Sequence, residues 1–280
     1  MIRIITDSAA DFEPEELQRL NVACIGLQVR FEEKEYTDGQ DLSKARFYEL
    51  LLSSRELPKT SQASPQILLE LLRDALNAGD EAIYITISSG ISGTYQNACV
   101  TAQLTEWDGC HILDSRNATG GQRLLVEYAV RLRDQGCTAR EIVEQVSALR
   151  DRIVLYACID TLENLYKGGR ISHTVYTLGS MAQIKPIIRV AEDGSITVPA
   201  KAMGMRKGMD LLAKRLQLQQ PDPEFPLYVM YTNNRSVAET LAQKLRQQGH
   251  IIPDDRIIGV GAAIGAHIGP DACGIVYVEK

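Results

Sequence analysis

A turn rich in serine, glycine and threonine links an apolar run to a helical segment. The run at residues 83–87 (IYITI) is typical of a buried strand, and residues 88–94 (SSGISGT) follow it. We expect a helix over residues 95–104, so the turn places unpaired backbone N–H groups at a helix start. Because a helix start also carries partial positive charge, the sequence predicts an anion site at this turn.

Ser92 is the residue of this turn with the largest number of possible chemical roles. Its hydroxyl can hydrogen-bond an anionic ligand, helped by the backbone N–H groups of Gly93 and Thr94, or it can act only as a helix cap. It can also serve as a nucleophile, but a nucleophile elbow needs the spacing G-x-S-x-G and this segment reads G-I-S-G. The spacing favours ligand contact or capping over hydrolysis.

Three further segments carry polar groups that a ligand site needs. Thr60 and Ser61 lie in the hydroxyl-rich segment PKTSQAS, which can bind a headgroup or its own backbone. His267 follows a run of small residues and can hold a carboxylate or pass a proton. Arg170 ends the segment K-G-G-R, which lacks the P-loop spacing. Taken singly, a loop, a buried histidine and a helix end explain the same residues.

Asp7 and Asp114 each lie at the end of a short apolar run. A serine hydrolase at Ser92 would use His267 as its base and one of these carboxylates to orient the ring. Helix capping explains the same two aspartates. The sequence contains no H-E-x-x-H motif, cysteine cluster or EF-hand loop, so we expect no metal site.

Composition narrows the class of protein further. The 280 residues carry a net charge of −6, which argues against general nucleic-acid binding. No apolar run of about 18 residues occurs, so we expect no stable membrane insertion. The six cysteines are scattered without a C-x-x-C pair, which is typical of reduced, buried thiols. Together these features predict a cytoplasmic protein.

Strands and helices alternate through the first half of the chain. This alternation predicts an N-terminal three-layer α/β/α domain with a parallel sheet over residues 1–151. In such sheets the ligand site lies beyond the carboxyl ends of the strands. Residues 32–41 and 58–64 are expected to form turns or loops. Strands are expected at residues 3–6, 21–31, 83–87 and 110–113, and helices at 14–20, 42–53, 64–78, 95–104, 121–135 and 138–149.

The second half has a different pattern. A turn at residues 192–195 (EDGS) between two apolar runs predicts a hairpin. With the later apolar runs, it predicts a C-terminal α/β domain over residues 152–280, with a mixed, mostly antiparallel sheet and helices on one face. Strands are expected at residues 153–159, 186–191, 196–202, 227–232, 257–266 and 274–278, and helices at 161–166, 172–181, 205–217 and 237–248.

Several short segments of the chain are each weak evidence for a family, but their combination is specific. Together they span nearly the whole chain. In chain order the segments are TDS (6–8), TSQAS (60–64), SSGISGTYQNA (88–98), DS (114–115), YKGGRIS (166–172), KP (185–186) and HIGP (267–270). The set resembles the DegV family, which includes the fatty-acid-binding subunit of bacterial fatty acid kinase.

The resemblance implies that one long-chain fatty acid is buried between the two domains. Its carboxylate is then held by the hydroxyls of Thr60 and Ser92, with His267 nearby. The backbone N–H of Gly93 completes the primary candidates. Secondary ligand contacts are expected at Ser61, Thr94 and Arg170.

The resemblance also implies a lipid-binding carrier without enzyme activity of its own. A separate ATP-dependent kinase subunit would convert the bound carboxylate to an acyl phosphate, and neither a cofactor nor a metal is expected in the carrier. The lack of a P-loop or dinucleotide fingerprint in the sequence agrees with this division. From the residues alone, two alternatives stay open: a phosphate or nucleotide binder at the glycine-serine turn, and a serine hydrolase using Ser92.

Overall fold

The structure is a computed structural model that describes residues 1–179 and 183–280. Within these ranges the strands are β1 (Ile2–Asp7), β2 (Val22–Ile25), β3 (Gln28–Phe31), β4 (Lys34–Thr37), β5 (Lys59–Ser61), β6 (Glu81–Thr86), β7 (Cys110–Asp114), β8 (Ile153–Cys158), β9 (Ile184–Val190), β10 (Ile196–Met203), β11 (Tyr228–Tyr231), β12 (Ile257–Gly259) and β13 (Cys273–Val278). The helices are α1 (Pro14–Leu20), α2 (Lys44–Ser53), α3 (Pro65–Ala78), α4 (Thr94–Gln103), α5 (Thr119–Asp134), α6 (Ala139–Arg150), α7 (Glu163–Lys167), α8 (His173–Gly179), α9 (Met205–Leu218), α10 (Arg235–Gln247) and α11 (Ala262–Ile268).

The first sheet is parallel and has the strand order β2–β1–β6–β7. The helix pairs α3–α4 and α5–α6 cover its two faces, so the predicted three-layer arrangement is confirmed. Local sequence signals define both the start and the end of α3. Ser64 caps it by accepting from the N–H of Ile67, Pro65 occupies its first turn, and Gly79 ends it with a φ of 69°.

The second sheet has the strand order β10–β9–β8–β13–β11–β12. It is mixed and mostly antiparallel, as predicted, because β11 and β12 run parallel and the other neighbours run antiparallel. Side chains alternate between its faces. Tyr156 and Cys158 pack in the core under α9 and α10, whereas Leu155 and Ala157 join the core shared with the first sheet. One face of the second sheet therefore looks toward the first half of the chain.

A third, small sheet has the order β4–β3–β5. The prediction of turns or loops at residues 32–41 and 58–64 is wrong in part, because β4 and β5 lie within these segments. The predicted strand at 21–31 also divides into β2 and β3, which belong to different sheets. These strands have three or four residues each, so alternation of apolar and polar residues is too brief to show in the sequence.

The C-terminal segment 257–266 is predicted as one strand, and this is wrong. β12 ends at Gly259, and α11 begins at Ala262. A short run of small apolar residues has no clear period, so it does not distinguish a strand from a buried helix. Close packing on α2 explains the small residues: a side chain at Gly265 would approach Phe47 Cε1 and Tyr48 Oη within 2.7 Å.

Two further sequence predictions concern boundaries. The chain changes sheets between α6 and β8, at the position where the sequence places a domain boundary. The division into domains 1–151 and 152–280 stays a prediction. The predicted helix 172–181 corresponds to α8, and residues 180–182 lie outside the described ranges.

In the described part of the chain, no helix combines the length and the apolar character that crossing a membrane requires.

Candidate functional site

A cavity of about 350 Å³ lies between the two large sheets. Its volume falls within the range of small-molecule sites in proteins. Ile87 and Ala118 line it from the first half of the chain, and Leu155, Ile188 and Met230 line it from the second. Because most of its wall is apolar, the cavity favours an alkyl chain or another apolar group.

A cluster of polar groups lines one part of this cavity. Thr60 lies on β5, and Ser92 and Gly93 lie in the turn before α4. Arg170 follows α7, and His267 lies near the end of α11. The fold thus brings together four segments that the sequence analysis singles out separately.

Thr60 and His267 form a direct contact between the two halves of the chain. Thr60 Oγ1 lies 2.7 Å from His267 Nε2. If Nε2 carries the ring proton, the ring donates to Thr60, and the threonine hydroxyl can donate its own proton to an anion. With the opposite tautomer, Thr60 donates to the ring and keeps no proton for a ligand. An anion in the cavity therefore favours the tautomer with the proton on Nε2.

The His267 ring is neutral at physiological pH. Burial, and next the positive charge of Arg170, lower its pKa from 6.5 to about 3. Its Nδ1 is buried and has no hydrogen-bond partner among the described residues. Gly168 lies against this nitrogen, and any side chain there would collide with the ring. Glycine at this position of the K-G-G-R segment therefore leaves room for the imidazole of His267. The spacing of the segment does not reveal this role.

We expect the His267 ring of the ligand-free protein to stay neutral from about pH 8 down to about pH 4, because a histidine binds a proton only near or below its pKa. The chain has four histidines. NMR of the protein with ¹⁵N-labelled histidine should show one ring that does not titrate in this range, and His267→Gln should remove its signals. A midpoint near 6.5 for the assigned ring would contradict the expectation.

Ser92 forms hydrogen bonds within its own turn and also lines the cavity. Its Oγ lies 2.9 Å from Thr94 Oγ1 and accepts from the Thr94 backbone N–H at 3.2 Å, so it supports the start of α4. It also lines the cavity and is half-buried. Thr94 is buried and lines a separate small void. A role for Thr94 in ligand binding would therefore act through Ser92.

The polar part of the cavity opens to solvent. Ser61, Gln62 and Gly93 line the cavity and are exposed. The sequence analysis does not single out Gln62, whose side chain lies beside Gly93. Its place within the TSQAS segment, two residues after Thr60, is the sequence signal that it carries. A ligand headgroup at this opening would thus be reachable from outside.

Arg170 supplies positive charge beside this opening. Its Nε donates to the Ile91 carbonyl oxygen at 3.1 Å, and its Nη1 donates to the Gly168 carbonyl oxygen. These bonds hold the guanidinium between the turn before α4 and the end of α7. Burial lowers the pKa of Arg170 below its ordinary value, and the group remains a cation at neutral pH.

The contacts do not assemble a hydrolase triad around Ser92. Asp7 is buried, caps the 3-10 turn Ser8–Ala10, and accepts from the Ile87 N–H at 2.8 Å. Of its two candidate roles, capping is therefore the one that the contacts show. Asp114 accepts from the N–H groups of Ser89 and Arg116 and caps no helix. Ser92 bonds to Thr94 and His267 bonds to Thr60, so nucleophile, base and acid do not form a chain. In the described ranges, no three histidine, cysteine or acidic side chains group as metal ligands do.

The fold defines an α/β protein with an apolar cavity between its two large sheets and a polar opening to that cavity. A family model described as "Uncharacterised protein, DegV family" matches residues 1–280. The chain belongs to the DegV family, as its sequence motifs predict.

The alignments with relatives and with solved structures cover the full length of the chain. It is 32% identical over 280 residues to a DegV domain-containing protein of Caldanaerobacter subterraneus subsp. tengcongensis, covering 100% of this chain and 99% of that protein. A fatty acid binding DegV family protein from Streptococcus agalactiae is 28% identical and superposes with a TM-score of 0.88, covering 100% of this chain and 99% of that chain. A fatty-acid-binding DegV family protein from Thermus thermophilus is 26% identical with a TM-score of 0.87, at the same coverage of 100% and 99%.

Proposed function

We propose that this protein binds one long-chain fatty acid in the cavity between its two sheets. The observation that carries the proposal is the polar cluster of Thr60, Ser92 and His267 on an otherwise apolar cavity. The similarity to fatty-acid-binding DegV structures supports the same class of ligand.

In this proposal the carboxylate lies at the polar opening. A buried carboxylate without hydrogen bonds costs several kcal/mol, so it needs several donors. The hydroxyls of Thr60 and Ser92 and the N–H of Gly93 supply them, and Arg170 adds positive charge. Hydrogen bonds to an ionised acceptor are stronger than neutral ones, so the same groups discriminate against an ester or an alcohol.

The tail would occupy the apolar part of the cavity. Each buried CH₂ group contributes roughly 0.8 kcal/mol, so about fifteen of them contribute on the order of 12 kcal/mol. The entropy of fixing the chain reduces this sum but leaves a large surplus. Such binding is strong enough to survive purification without a covalent bond.

We further propose that a partner ATP-dependent kinase acts on the bound carboxylate. Ser61, Gln62 and Gly93 expose the headgroup region, while the tail stays inside. A carboxylate oxygen would attack the γ-phosphorus of ATP on the kinase, forming an acyl phosphate and releasing ADP. Positive charge from Arg170 beside the new phosphoryl group favours this product. The carrier itself would perform no chemistry.

Lipid analysis of the purified protein tests the binding proposal. Native mass spectrometry should show one added mass of a long-chain fatty acid, and extraction followed by gas chromatography should identify it. A protein that stays empty and binds neither palmitate nor oleate would overturn the proposal. A thermal shift with ATP and none with fatty acid would instead favour a nucleotide ligand.

The kinase step needs a separate assay. The loaded protein is mixed with a bacterial fatty acid kinase catalytic subunit and Mg-ATP, and hydroxylamine traps any acyl phosphate as a hydroxamate. We expect hydroxamate only when carrier, kinase and ATP are all present. Binding of fatty acid without any hydroxamate would retain the carrier function and reject the kinase partnership.

A further inference from the structure

Two buried carboxylates from the first half of the chain hold the start of α11, which belongs to the second half. Asp11 Oδ1 accepts from the Gly261 N–H at 2.7 Å. Asp38 accepts from the N–H groups of Ala262 and Ala263, one on each carboxylate oxygen, both at 3.1 Å. Successive N–H groups at this helix start therefore all donate to side chains that lie far away in the sequence.

α11 is itself a wall of the ligand cavity. Ala263, Ile264, His267 and Ile268 all line the cavity. Asp11 and Asp38 hold one end of the helix, and the Thr60–His267 contact holds the other. A ligand enclosed by this wall leaves more easily when the helix start separates from the two carboxylates.

The carboxylate pair, Asp11 and Asp38, is not fully neutralised by its surroundings. Asp11 Oδ2 is buried and has no hydrogen-bond partner among the described residues. Lys44 bonds to the Asp11 carbonyl oxygen and to Glu13 rather than to the Asp11 carboxylate, and Arg123 pairs with Glu16 and Glu127. The ionisable groups that interact with the pair are Asp7 from β1, Cys24 from β2, Lys44 and Tyr48 from α2 and Arg123 from α5. Tyr231 from β11 interacts with Tyr48.

We propose that Asp11 and Asp38 are positioning residues that hold α11 closed over the cavity, and that proton uptake by this carboxylate pair slows ligand release. The inference rests on the proposed function, because the released ligand is the fatty acid. It adds a pH-dependent control of ligand release, which the residues of the polar opening do not provide.

The direction of the pH effect follows from linkage. Burial raises the pKa of Asp11 to about 7 and also raises the pKa of Asp38. When α11 separates, the carboxylates meet water and keep a proton only below about pH 4. Between about pH 4 and pH 7 the closed state alone holds the extra proton, so closure weakens as the pH rises. Above about pH 7 both states are ionised and the effect levels off.

Release kinetics test the proposal directly. Protein loaded with cis-parinaric acid is mixed in a stopped-flow instrument with excess phosphatidylcholine vesicles, between about pH 5 and pH 9. We expect the wild-type release rate to rise at least about tenfold from pH 5 to pH 7 and then to level off. Asp11→Asn should flatten this profile. Asp38→Asn should release the ligand faster at every pH, because its amide keeps only one of the two oxygens that accept from the Ala262 and Ala263 N–H groups.

Asp7→Asn is the matched control. Burial also raises the pKa of Asp7, to about 6, but Asp7 bonds to Ile87 and Gln122 of the first half. It stays in place when α11 separates, so this variant should keep the wild-type rise in release rate, displaced only slightly in pH by the loss of the Asp7 charge near Asp38. A wild-type slope retained in Asp11→Asn, or a flat wild-type profile, would overturn the proposal.

Amide hydrogen exchange gives a second readout that needs no ligand and no variant. After correction for intrinsic rates, protection of the Gly261, Ala262 and Ala263 N–H groups in the wild type should fall between about pH 5 and pH 7. Protection that is constant with pH would reject the pH-dependent closure even if a variant fails to fold. If cis-parinaric acid never binds while protection falls as expected, the proposed function fails and the hold on α11 stands.

Discussion

Replacing Thr60 by valine together with Ser92 by alanine is expected to weaken fatty acid binding by about two to four orders of magnitude. In the proposed complex each substitution removes a hydroxyl that donates to the carboxylate, and a hydrogen bond to a charged group contributes about 1.5–3 kcal/mol. Two such losses sum to about 3–6 kcal/mol, and each 1.4 kcal/mol is about tenfold in Kd. Titration with a fluorescent fatty acid, supported by native mass spectrometry, measures the change.

The chain offers a matched control for this double variant on α10. Thr240→Val with Ser236→Ala removes the same two hydroxyls from exposed positions that bond only within their own segment. We expect this control to bind like the wild type. If the Thr60 and Ser92 double variant also binds like the wild type, the headgroup lies elsewhere in the cavity.

A bulky residue at Ala272 is expected to exclude long-chain acids while sparing short ones. Ala272 lines the cavity and is 2% exposed. In Ala272→Phe the ring would occupy the room of about five methylene groups, so long-chain affinity should fall by about 4 kcal/mol, close to a thousandfold. A medium-chain acid such as octanoate should bind with little change. Isothermal titration with acids of increasing length reveals the cut-off.

Folding must be separated from exclusion in this experiment. Ala45→Phe adds the same ring at an exposed position on α2 and should leave the preference for chain length unchanged. Chemical denaturation of Ala272→Phe reports any overpacking, which typically costs about 1–3 kcal/mol. If overpacking unfolds the protein, Ala272→Val tests the same trend with a smaller step. Unchanged binding of stearate by a folded Ala272→Phe variant would place the tail elsewhere.

The features that the sequence predicts well have local signals. The run at 83–87 is apolar throughout, and α3 carries its own start and stop residues in Ser64 and Gly79. Thr60 and Ser92 are conspicuous because hydroxyl and glycine residues surround them. Such signals identify the two large sheets and mark Thr60 and Ser92 as candidates, whereas their assignment to one ligand depends on the combination of segments that resembles the DegV family.

α11 shows why other features cannot be predicted in this way. Its start is held by Asp11 and Asp38, which lie 250 and 224 residues from their partners Gly261 and Ala262. The small sheet has the same difficulty, because the three-residue strand β5 exists through its pairing with β3. The cavity wall is likewise distributed over both halves of the chain, so its shape depends on packing that no single segment encodes.

The central place of β13 in the second sheet has a consequence for the biosynthesis of this protein. β13 pairs with both β8 and β11, yet among the strands it is last along the chain. While the ribosome still shields β13, strands β8 and β11 have no neighbour between them, and the face that walls the cavity is incomplete. The nascent polypeptide can therefore assemble its first sheet early, but a fatty acid bound as proposed must be acquired after translation of this strand is complete.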